Sequence, residues 1–191
     1  MLRDFAYVSP LGGGAPPQPE TTELRAAGVH LERAYEVTLP VGGCVVTYIE
    51  AETAFEPADD PLELVGEWAD PALTKHRQGL AVAFPLRVGQ TRAFREFAYD
   101  AFHHRRFEHH RSRRALGLTR EDIYLDGDVA VFYVEGDDPR RSFELLAEST
   151  AAHDIWFRDR CRALFQEGFD LDAPLPPIRT LWDVDLTPIP A

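Results

Sequence analysis

Cysteine and long apolar runs are scarce in this sequence. Its 191 residues include two cysteines, Cys44 and Cys161, which do not form a CxxC pair. That spacing argues against a structural zinc site and is typical of a protein from a reducing compartment. No stretch approaches the roughly 18 consecutive apolar residues of a membrane helix, and the first residues lack a basic segment followed by an apolar run. We therefore expect two buried free thiols, no bound metal and a cytoplasmic location.

Positive charge is also in short supply. The chain has 20 Lys and Arg against 32 Asp and Glu, a net charge of -12, and Lys75 is its one lysine. This balance disfavours nucleic acid and anionic membranes as partners, because their phosphates would repel the protein. Asparagine is absent, a bias typical of GC-rich genomes, and we expect a bacterial host. The run Gly12–Gly14 leads into Ala-Pro-Pro instead of a helix start, so we predict neither a phosphate-binding loop nor a cofactor.

What the sequence does contain is an internal repeat. Residues 25–29 (RAAGV) align with 114–118 (RALGL), and 45–52 (VVTYIEAE) align with 130–137 (AVFYVEGD) after a short gap. With 45% hydrophobic residues, the chain can bury a full core. We predict two related halves: a degenerate one at 1–79 and a complete one, with an extended C-terminal tail, at 80–191.

The complete half shows a βαββαβ pattern. The Asp126–Gly127 dipeptide between two alternating segments predicts a hairpin, and Asp138–Pro139 predicts the start of a helix. This order indicates a ferredoxin-like α+β unit. The predicted strands are 80–87, 121–126, 128–135 and 178–184, the last as an edge strand, and the predicted helices are 91–116, 139–150 and 152–166.

The degenerate half has a Gly/Pro-rich loop at 11–20 where a long helix would lie. A strand near 2–8, a short helix near 21–27 and a hairpin at 33–51 are predicted there. Residues 60–77 read as one helix followed by a loop. The pattern does not locate a fourth strand for this half.

Four segments, RRALGLTREDIYL, VFYVEGDDPRRSFELLAES, HDIWFRD and GFDLDAPLP, resemble small bacterial ferredoxin-like proteins of the dimeric α+β barrel superfamily. The resemblance covers most of 80–178, and the repeat extends it faintly to 25–56. It implies a tandem fusion of two ferredoxin-like (βαββαβ) halves, with antiparallel sheets packed as an α+β barrel. That superfamily includes cofactor-free monooxygenases, polyketide cyclases, isomerases and haem enzymes, so the resemblance implies fold more strongly than activity.

Helix 91–116 carries an unusual polar stretch. Counting about 100° per residue from Phe94, its apolar stripe is interrupted for two turns, while Arg113 falls on the outer side. A polar core face implies either a helix end that overhangs into solvent or the wall of a wet cavity; a metal site lacks a visible third ligand. The interrupted stripe consists of Arg105, Glu108, His109 and Ser112, with His104 at its margin.

Two further groups supply candidates. If the Tyr133 and Glu135 face of strand 128–135 meets the helices, a phenol and a carboxylate approach this stripe; otherwise Tyr133 packs in the core and Glu135 ends the strand. His153 and Trp156 lie in the segment that opens the last helix. We take as candidate catalytic residues His109, Glu108, Tyr133 and Glu135, and as candidate substrate-binding residues Arg105, Ser112, His104, Trp156 and His153.

These features predict a cofactor-independent cyclase, isomerase or monooxygenase that transfers a proton in a helix–sheet cavity. Its substrate would be an aromatic or polyketide-like small molecule, anionic or phenolic. A noncatalytic ligand-binding or assembly protein and a haem-binding protein are the alternatives. Monomer and homodimer both suit two halves fused in one chain.

Overall fold

The computed structural model describes residues 2–10, 17–39, 42–52, 61–72 and 75–187. Residues 11–16 of the predicted loop at 11–20 lie outside this set. The strands are β1 (Leu2–Pro10), β2 (Val29–Leu39), β3 (Gly42–Glu52), β4 (Glu63–Ala69), β5 (Gln78–Pro85), β6 (Leu118–Asp126), β7 (Val129–Gly136) and β8 (Ile178–Asp185). The helices are α1 (Thr21–Ala26), α2 (Thr91–Tyr99), a π-helical turn (Asp100–His104), α3 (Arg106–Ala115), α4 (Pro139–Glu148) and α5 (Ala152–Leu164).

The chain forms two compact units, each with a four-stranded antiparallel sheet. Unit 1 comprises Met1–Leu62 and Pro176–Ala191, and unit 2 comprises Glu63–Leu175. The strand orders are β1-β3-β2-β8 in unit 1 and β4-β6-β7-β5 in unit 2. The predicted α+β fold with two ferredoxin-like sheets is confirmed; the packing of the sheets as a barrel stays a prediction.

The fourth strand of each sheet is exchanged between the repeats. Strand β8, at the end of the second repeat, pairs with β2 from Leu31↔Asp185 to Val37↔Ile178. Strand β4, at the end of the first repeat, pairs with β6. The sequence repeat therefore divides the chain near residue 79, whereas the compact units divide it near residues 62 and 175.

The helix predicted within 60–77 is wrong, because Glu63–Ala69 is a strand. Its apolar residues Leu64, Val65 and Trp68 have helical spacing, and a segment this short is ambiguous between the two periods. In the structure Glu67 is exposed and Trp68 is buried, as strand alternation requires.

Equivalent glycines support the repeat. Gly28 follows α1 with φ +76°, and Gly117 follows α3 with φ +79°, a left-handed conformation in which glycine carries no steric penalty. At equivalent places in the hairpins, Tyr48 and Tyr133 are both fully buried. The predicted Asp126–Gly127 turn between β6 and β7 is confirmed as well.

Phenylalanine rings fill the space between the helices and the sheet of unit 2. Phe132 of β7 lies 6.2 Å from Phe94 of α2 and 6.5 Å from Phe157 of α5, measured between ring centroids. Phe84 of β5 stacks on Phe165 at 4.7 Å. Burying each ring contributes about 2–3 kcal/mol. This apolar packing occupies the place where the sequence predicted a helix–sheet cavity.

A π-helical turn divides the predicted helix 91–116. The Arg105 N–H donates to the carbonyl of Asp100 at 2.9 Å, five residues back instead of four. One such turn inserts an extra residue and rotates the following helix by about 100°. As a result Arg113, predicted to face outward, is fully buried, while Glu108, predicted to face inward, is exposed.

The turn is packed against an irregularity in β4. The pairing of β4 with β6 shifts register between Leu64 and Gly66. A Cβ on Gly66 would lie 2.5 Å from the Phe102 ring, closer than carbon atoms can approach. Glycine at this position therefore lets Phe102 of the π turn pack on the sheet.

In unit 1, side-chain contacts hold the exchanged strand β8. Arg33 of β2 donates to Asp183 at 2.8 Å, and the Trp182 indole N–H donates to Glu32 at 3.1 Å. Burial raises the pKa of the Glu32 carboxyl, and the hydrogen bond from Trp182 partly offsets that shift. The predicted edge strand at 178–184 is confirmed, as part of the sheet of unit 1.

Candidate functional site

Unit 2 contains a cluster of buried polar side chains where α3, α5 and β6 meet. Six residues that are each less than one-tenth exposed belong to this polar cluster. They are His109, Ser112 and Arg113 of α3, Glu121 of β6, and His153 and Asp154 of α5.

Glu121 is the centre of the polar cluster. Its Oε2 lies 2.7 Å from His109 Nε2 and accepts a hydrogen bond from Arg113 Nε at 2.7 Å. Burial by itself raises the pKa of this carboxyl, but the charge of Arg113 and the contacts with His109 outweigh it and lower the pKa to about 2. Glu121 is therefore ionised and can only accept hydrogen bonds.

The two histidine rings of the polar cluster are in contact. His109 Nδ1 lies 3.2 Å from His153 Nε2. Burial, followed by the positive charge of Arg113, lowers the pKa of His109, and the same two causes lower the pKa of His153 to about 4. Both rings are therefore neutral near pH 7. Among the described residues, His153 Nδ1 has no hydrogen-bond partner.

Asp154 joins α3 to the link between α4 and α5. It accepts hydrogen bonds from the hydroxyls of Ser112 and Ser149, one on each carboxylate oxygen. Arg113 Nη1 donates to the Ser112 hydroxyl at 3.2 Å, whereas its Nη2 is buried with no partner in the described part of the chain. A continuous chain of hydrogen bonds thus connects Glu121, at one end of the polar cluster, to Ser149 outside it.

A cleft of about 800 Å³ opens beside the polar cluster, between α3 and the α4–α5 link. This volume suits a small organic molecule. Ser112, His153 and Asp154 are among its lining residues. The charged residues among the others are Glu108, Arg111 and Glu148. His153 Nδ1 itself is sealed from solvent, just beneath the lining.

Five of the predicted site residues lie at or next to the polar cluster. His109, Ser112 and His153 belong to it. The Arg105 guanidinium lies 4.3 Å from the centroid of the Trp156 ring, and that ring lies 5.3 Å from the His153 ring. These contacts form an aromatic and cationic wall beside His153.

Two other predicted residues are exposed. Glu108 lies at the cleft but outside the polar cluster. His104 lies 3.2 Å from Asp100, measured from Nδ1 to Oδ1, and lines a different cleft of about 730 Å³ beside α2.

Tyr133 and Glu135 lie on the opposite face of the sheet. Phe132 packs against the helices, so its neighbour Tyr133 points the other way. The Tyr133 hydroxyl donates to Glu135 Oε1 at 2.6 Å, and His76 Nδ1 lies 3.2 Å from the same oxygen. The structure therefore does not bring this pair to the stripe on α3. His76 belongs with them.

Sequence reasoning missed Arg113 and Glu121. The π turn rotates Arg113 into the core, and this could not be predicted because no sequence pattern marks the inserted residue. Glu121 did give a signal: it shares a strand face with Ile123 and Leu125, so a carboxylate stands on an otherwise apolar face of β6.

Metal binding and membrane insertion are two further properties on which the described part of the chain bears. No group of three or more His, Cys, Asp or Glu side chains there is arranged to hold a metal ion. None of its helices is both long and apolar enough to cross a membrane. Cys44 and Cys161 are both buried, as predicted.

Comparison with known proteins gives distant structural likeness. No protein-family model and no curated protein matches the sequence. A crystal structure of an anthrone oxidase-like protein is 12% identical, with 83% of this chain and 79% of that chain covered and a TM-score of 0.42. An uncharacterised ferredoxin-fold protein related to antibiotic biosynthesis monooxygenases, from Listeria monocytogenes, is 11% identical, with 94% and 92% covered and a TM-score of 0.43.

A monooxygenase described as putative, from Fusobacterium nucleatum, is 8% identical, with 98% of this chain and 96% of that chain covered and a TM-score of 0.43. At such TM-scores these likenesses carry no argument about activity. The ferredoxin-like character of the chain is established by its own strand order.

Proposed function

We propose that unit 2 is a cofactor-independent enzyme that takes a proton from a phenolic or enolic aromatic molecule bound in the cleft. His153 is the base. The observation that carries this proposal is the buried Nδ1 of His153, a neutral imidazole nitrogen beside the cleft without a partner among the described residues.

An unsatisfied buried acceptor is costly. Leaving such a group without a hydrogen bond costs about 1–3 kcal/mol, which a ligand hydroxyl would recover. Because the pKa of His153 is about 4, its lone pair is available throughout the neutral range. Since Nδ1 is sealed from solvent, ligand binding has to open the cleft lining around His153.

The basicity of His153 selects the kind of proton it can take. A phenol has a pKa of about 10, so transfer to a base of pKa about 4 is uphill by roughly 6 units, or about 8 kcal/mol. A turnover of about 10 per second corresponds to a barrier of about 16 kcal/mol, which leaves room for this step. Ordinary ketone C–H bonds are far less acidic, so hydroxyl protons suit this base better.

The charges around the cleft favour a neutral ligand over a preformed anion. Three carboxylates, Glu108, Glu148 and Asp154, line it together with one guanidinium, Arg111. A ligand that is anionic from the start would be repelled by this lining. A phenol gains its charge only when the proton leaves. The positive charge of the buried Arg113 then stabilises the phenolate.

The remaining residues hold the ligand and the base. Trp156, covered on one face by Arg105, offers an aromatic surface beside His153. Ser112 and Asp154 fix the lining of the cleft. The sequence resemblance supports a following cyclisation, isomerisation or oxygenation. The catalytic roles predicted for Glu108, Tyr133 and Glu135 stay predictions.

Binding of 2-naphthol and of its methyl ether, 2-methoxynaphthalene, tests the proposal. The two ligands share a ring system, but the ether has no proton to donate to Nδ1. We expect the protein to prefer the naphthol by about 10-fold or more, as one buried hydrogen bond implies. His153→Leu should reduce this preference to about 1. His110→Leu, a control at a histidine of α3 outside the polar cluster, should leave it unchanged.

Turnover is measured with the same naphthol. In deuterated buffer, a base that removes the hydroxyl proton promotes exchange of the ring hydrogen next to the hydroxyl, which proton NMR detects. The wild type and His110→Leu should accelerate exchange, and His153→Leu should not. Equal rates in all three, or no preference for the naphthol, would overturn the proposal. Selective binding without exchange would indicate the noncatalytic ligand-binding alternative.

A further inference from the structure

We infer that His109 and Glu121 are a positioning pair that fixes the hydrogen of His153 on Nε2 and thereby makes Nδ1 its basic nitrogen. The catalytic consequence of this inference rests on the proposed function. The assignment of the hydrogens does not, and it can be measured without any substrate.

The first step of the argument is the contact between Glu121 and His109. The ionised carboxylate of Glu121 has no hydrogen to donate, and His109 Nε2 lies 2.7 Å from Oε2. His109 must therefore carry its hydrogen on Nε2 and donate it. Arg113 occupies the same oxygen through Nε at 2.7 Å, so the carboxylate is held in place by two donors.

The second step transfers this assignment to His153. Since neutral His109 has its hydrogen on Nε2, its Nδ1 is a bare acceptor. His153 Nε2 lies 3.2 Å from that atom and must be the donor. The opposite arrangement would set two lone pairs against each other in a buried site, where electrostatic repulsion is poorly screened.

The third step concerns the charged and titratable groups around His153. Arg113 and His109 approach from α3, Arg105 from the end of the π turn, and Asp154 is its neighbour on α5. The two guanidiniums oppose a second proton on the ring, and Asp154 only partly offsets them. His153 therefore stays a single neutral tautomer, with Nδ1 free to accept a proton from a ligand.

When a ligand proton reaches Nδ1, the ring becomes an imidazolium and its Nε2–H remains bonded to His109. The ligand keeps the electron pair and becomes an oxyanion. The hydrogen bond from Nε2 to His109 strengthens as the positive charge develops. His109 thus acts through His153 and need not touch the ligand.

Nitrogen NMR of the ligand-free protein tests the assignment directly. In protein labelled with ¹⁵N at histidine, near pH 7, we expect both His109 and His153 to carry their hydrogen on Nε2. We also expect a coupling across the hydrogen bond between His153 Nε2 and His109 Nδ1. A hydrogen on Nδ1 of His153, or a wild-type spectrum without the coupling, would overturn the inference.

Variants of His109 test the positioning role. His109→Leu removes the acceptor, whereas His109→Asn keeps an oxygen where Nδ1 stood. For exchange into 2-naphthol, we expect His109→Leu to lower kcat roughly 10-fold or more at nearly unchanged KM, and His109→Asn to restore much of it. His110→Leu is the control. Equal kcat in the Leu and Asn variants would contradict a positioning role.

The two proposals fail in different ways. If the NMR assignment holds but the wild type neither prefers nor exchanges the naphthol, the proposed function is wrong and the histidine relay is structural. If exchange depends on His153 but its hydrogen lies on Nδ1, the proposed function survives and the inference about His109 and Glu121 is wrong.

Discussion

Replacing the buried Arg113 with Met tests how the polar cluster is held together. Arg113 is fully buried, bonds Glu121 and Ser112, and lies 4.2 Å from the centroid of the Phe157 ring. Met keeps most of the apolar stem but removes the charge and the donors. The Glu121 carboxylate would then remain buried with His109 as its main partner. Losing one partner of a buried ion pair costs about 3–5 kcal/mol of unfolding free energy.

The neighbouring arginine provides a matched control. The Arg114 side chain is 52% exposed and pairs with Asp70 at the surface. Such a pair contributes about 0–1 kcal/mol, so Arg114→Met should be nearly neutral. Urea denaturation, monitored by tryptophan fluorescence, measures the unfolding free energy of both variants. An unchanged slope of that free energy against urea concentration would show that both variants expose the same surface on unfolding. We expect Arg113→Met to lose about 3 kcal/mol more than Arg114→Met.

A double variant separates lost charge pairing from lost packing. In Arg113→Met with Glu121→Leu, both charges of the pair are gone and no Glu121 carboxylate is left buried without its cation, which commonly recovers stability. We expect the double variant to be more stable than Arg113→Met alone. Equal losses for Arg113→Met and Arg114→Met, or a double variant less stable than Arg113→Met, would refute the reasoning that Arg113 compensates the buried carboxylate.

Four further predictions concern pH and the π turn. The folded-state pKa of His153 is about 4 against 6.5, so the unfolded chain takes up this proton at higher pH than the folded chain does, and His153 should lower stability by about 3 kcal/mol between pH 6.5 and 4, a contribution to the slope that His153→Leu should remove. The folded-state pKa of Glu121 is about 2 against 4.5, so its stabilisation of about 3 kcal/mol, present above pH 4.5, should be lost as the pH falls towards 2; an acid titration with the same slope in Glu121→Gln would contradict this. Gly66→Ala should lower the melting temperature, because its Cβ would meet the Phe102 ring at 2.5 Å, and Phe102→Leu in the same chain should recover part of the loss. Deleting the exposed His103 should convert the π turn to α-helix and rotate α3, with a stability loss far greater than that of His103→Ala.

The elements of unit 2 were predictable because local signals agree there. Alternation, the Asp126–Gly127 turn and the Pro139 helix start specify β6, β7 and α4. Asp138 accepts from the Arg141 N–H at 3.0 Å, as a helix cap does. Such signals act within a few residues and do not depend on the rest of the chain.

The exchange of the fourth strands was not predictable from those signals. Strand β8 has an ordinary strand pattern and strand β4 an ambiguous one. Neither local sequence indicates which sheet the strand joins. The partner is set by long-range contacts such as Arg33 with Asp183. A repeat boundary in sequence therefore differs from the boundary of a compact unit.

The candidate site was predictable in part for a related reason. A polar stretch on a helix face led to His109 and Ser112, and the segment opening α5 led to His153. The rotation caused by the π turn exchanged Glu108 for Arg113, because a constant 100° per residue fails beyond the inserted residue. The side of the sheet taken by Tyr133 was a choice between two faces, which alternation alone leaves open.

The placement of β8 has a consequence for biosynthesis on the ribosome. Unit 2 is one continuous segment and can complete its sheet as soon as residue 175 has left the exit tunnel. The sheet of unit 1 has to wait, with the open edge of β2 available to other chains, until Ile178–Asp185 emerges about 140 residues after β2 was synthesised. Nascent chains held, through a C-terminal extension, with residue 175 outside the tunnel and residues 178–185 still inside should therefore protect unit 2 from protease while unit 1 is still digested.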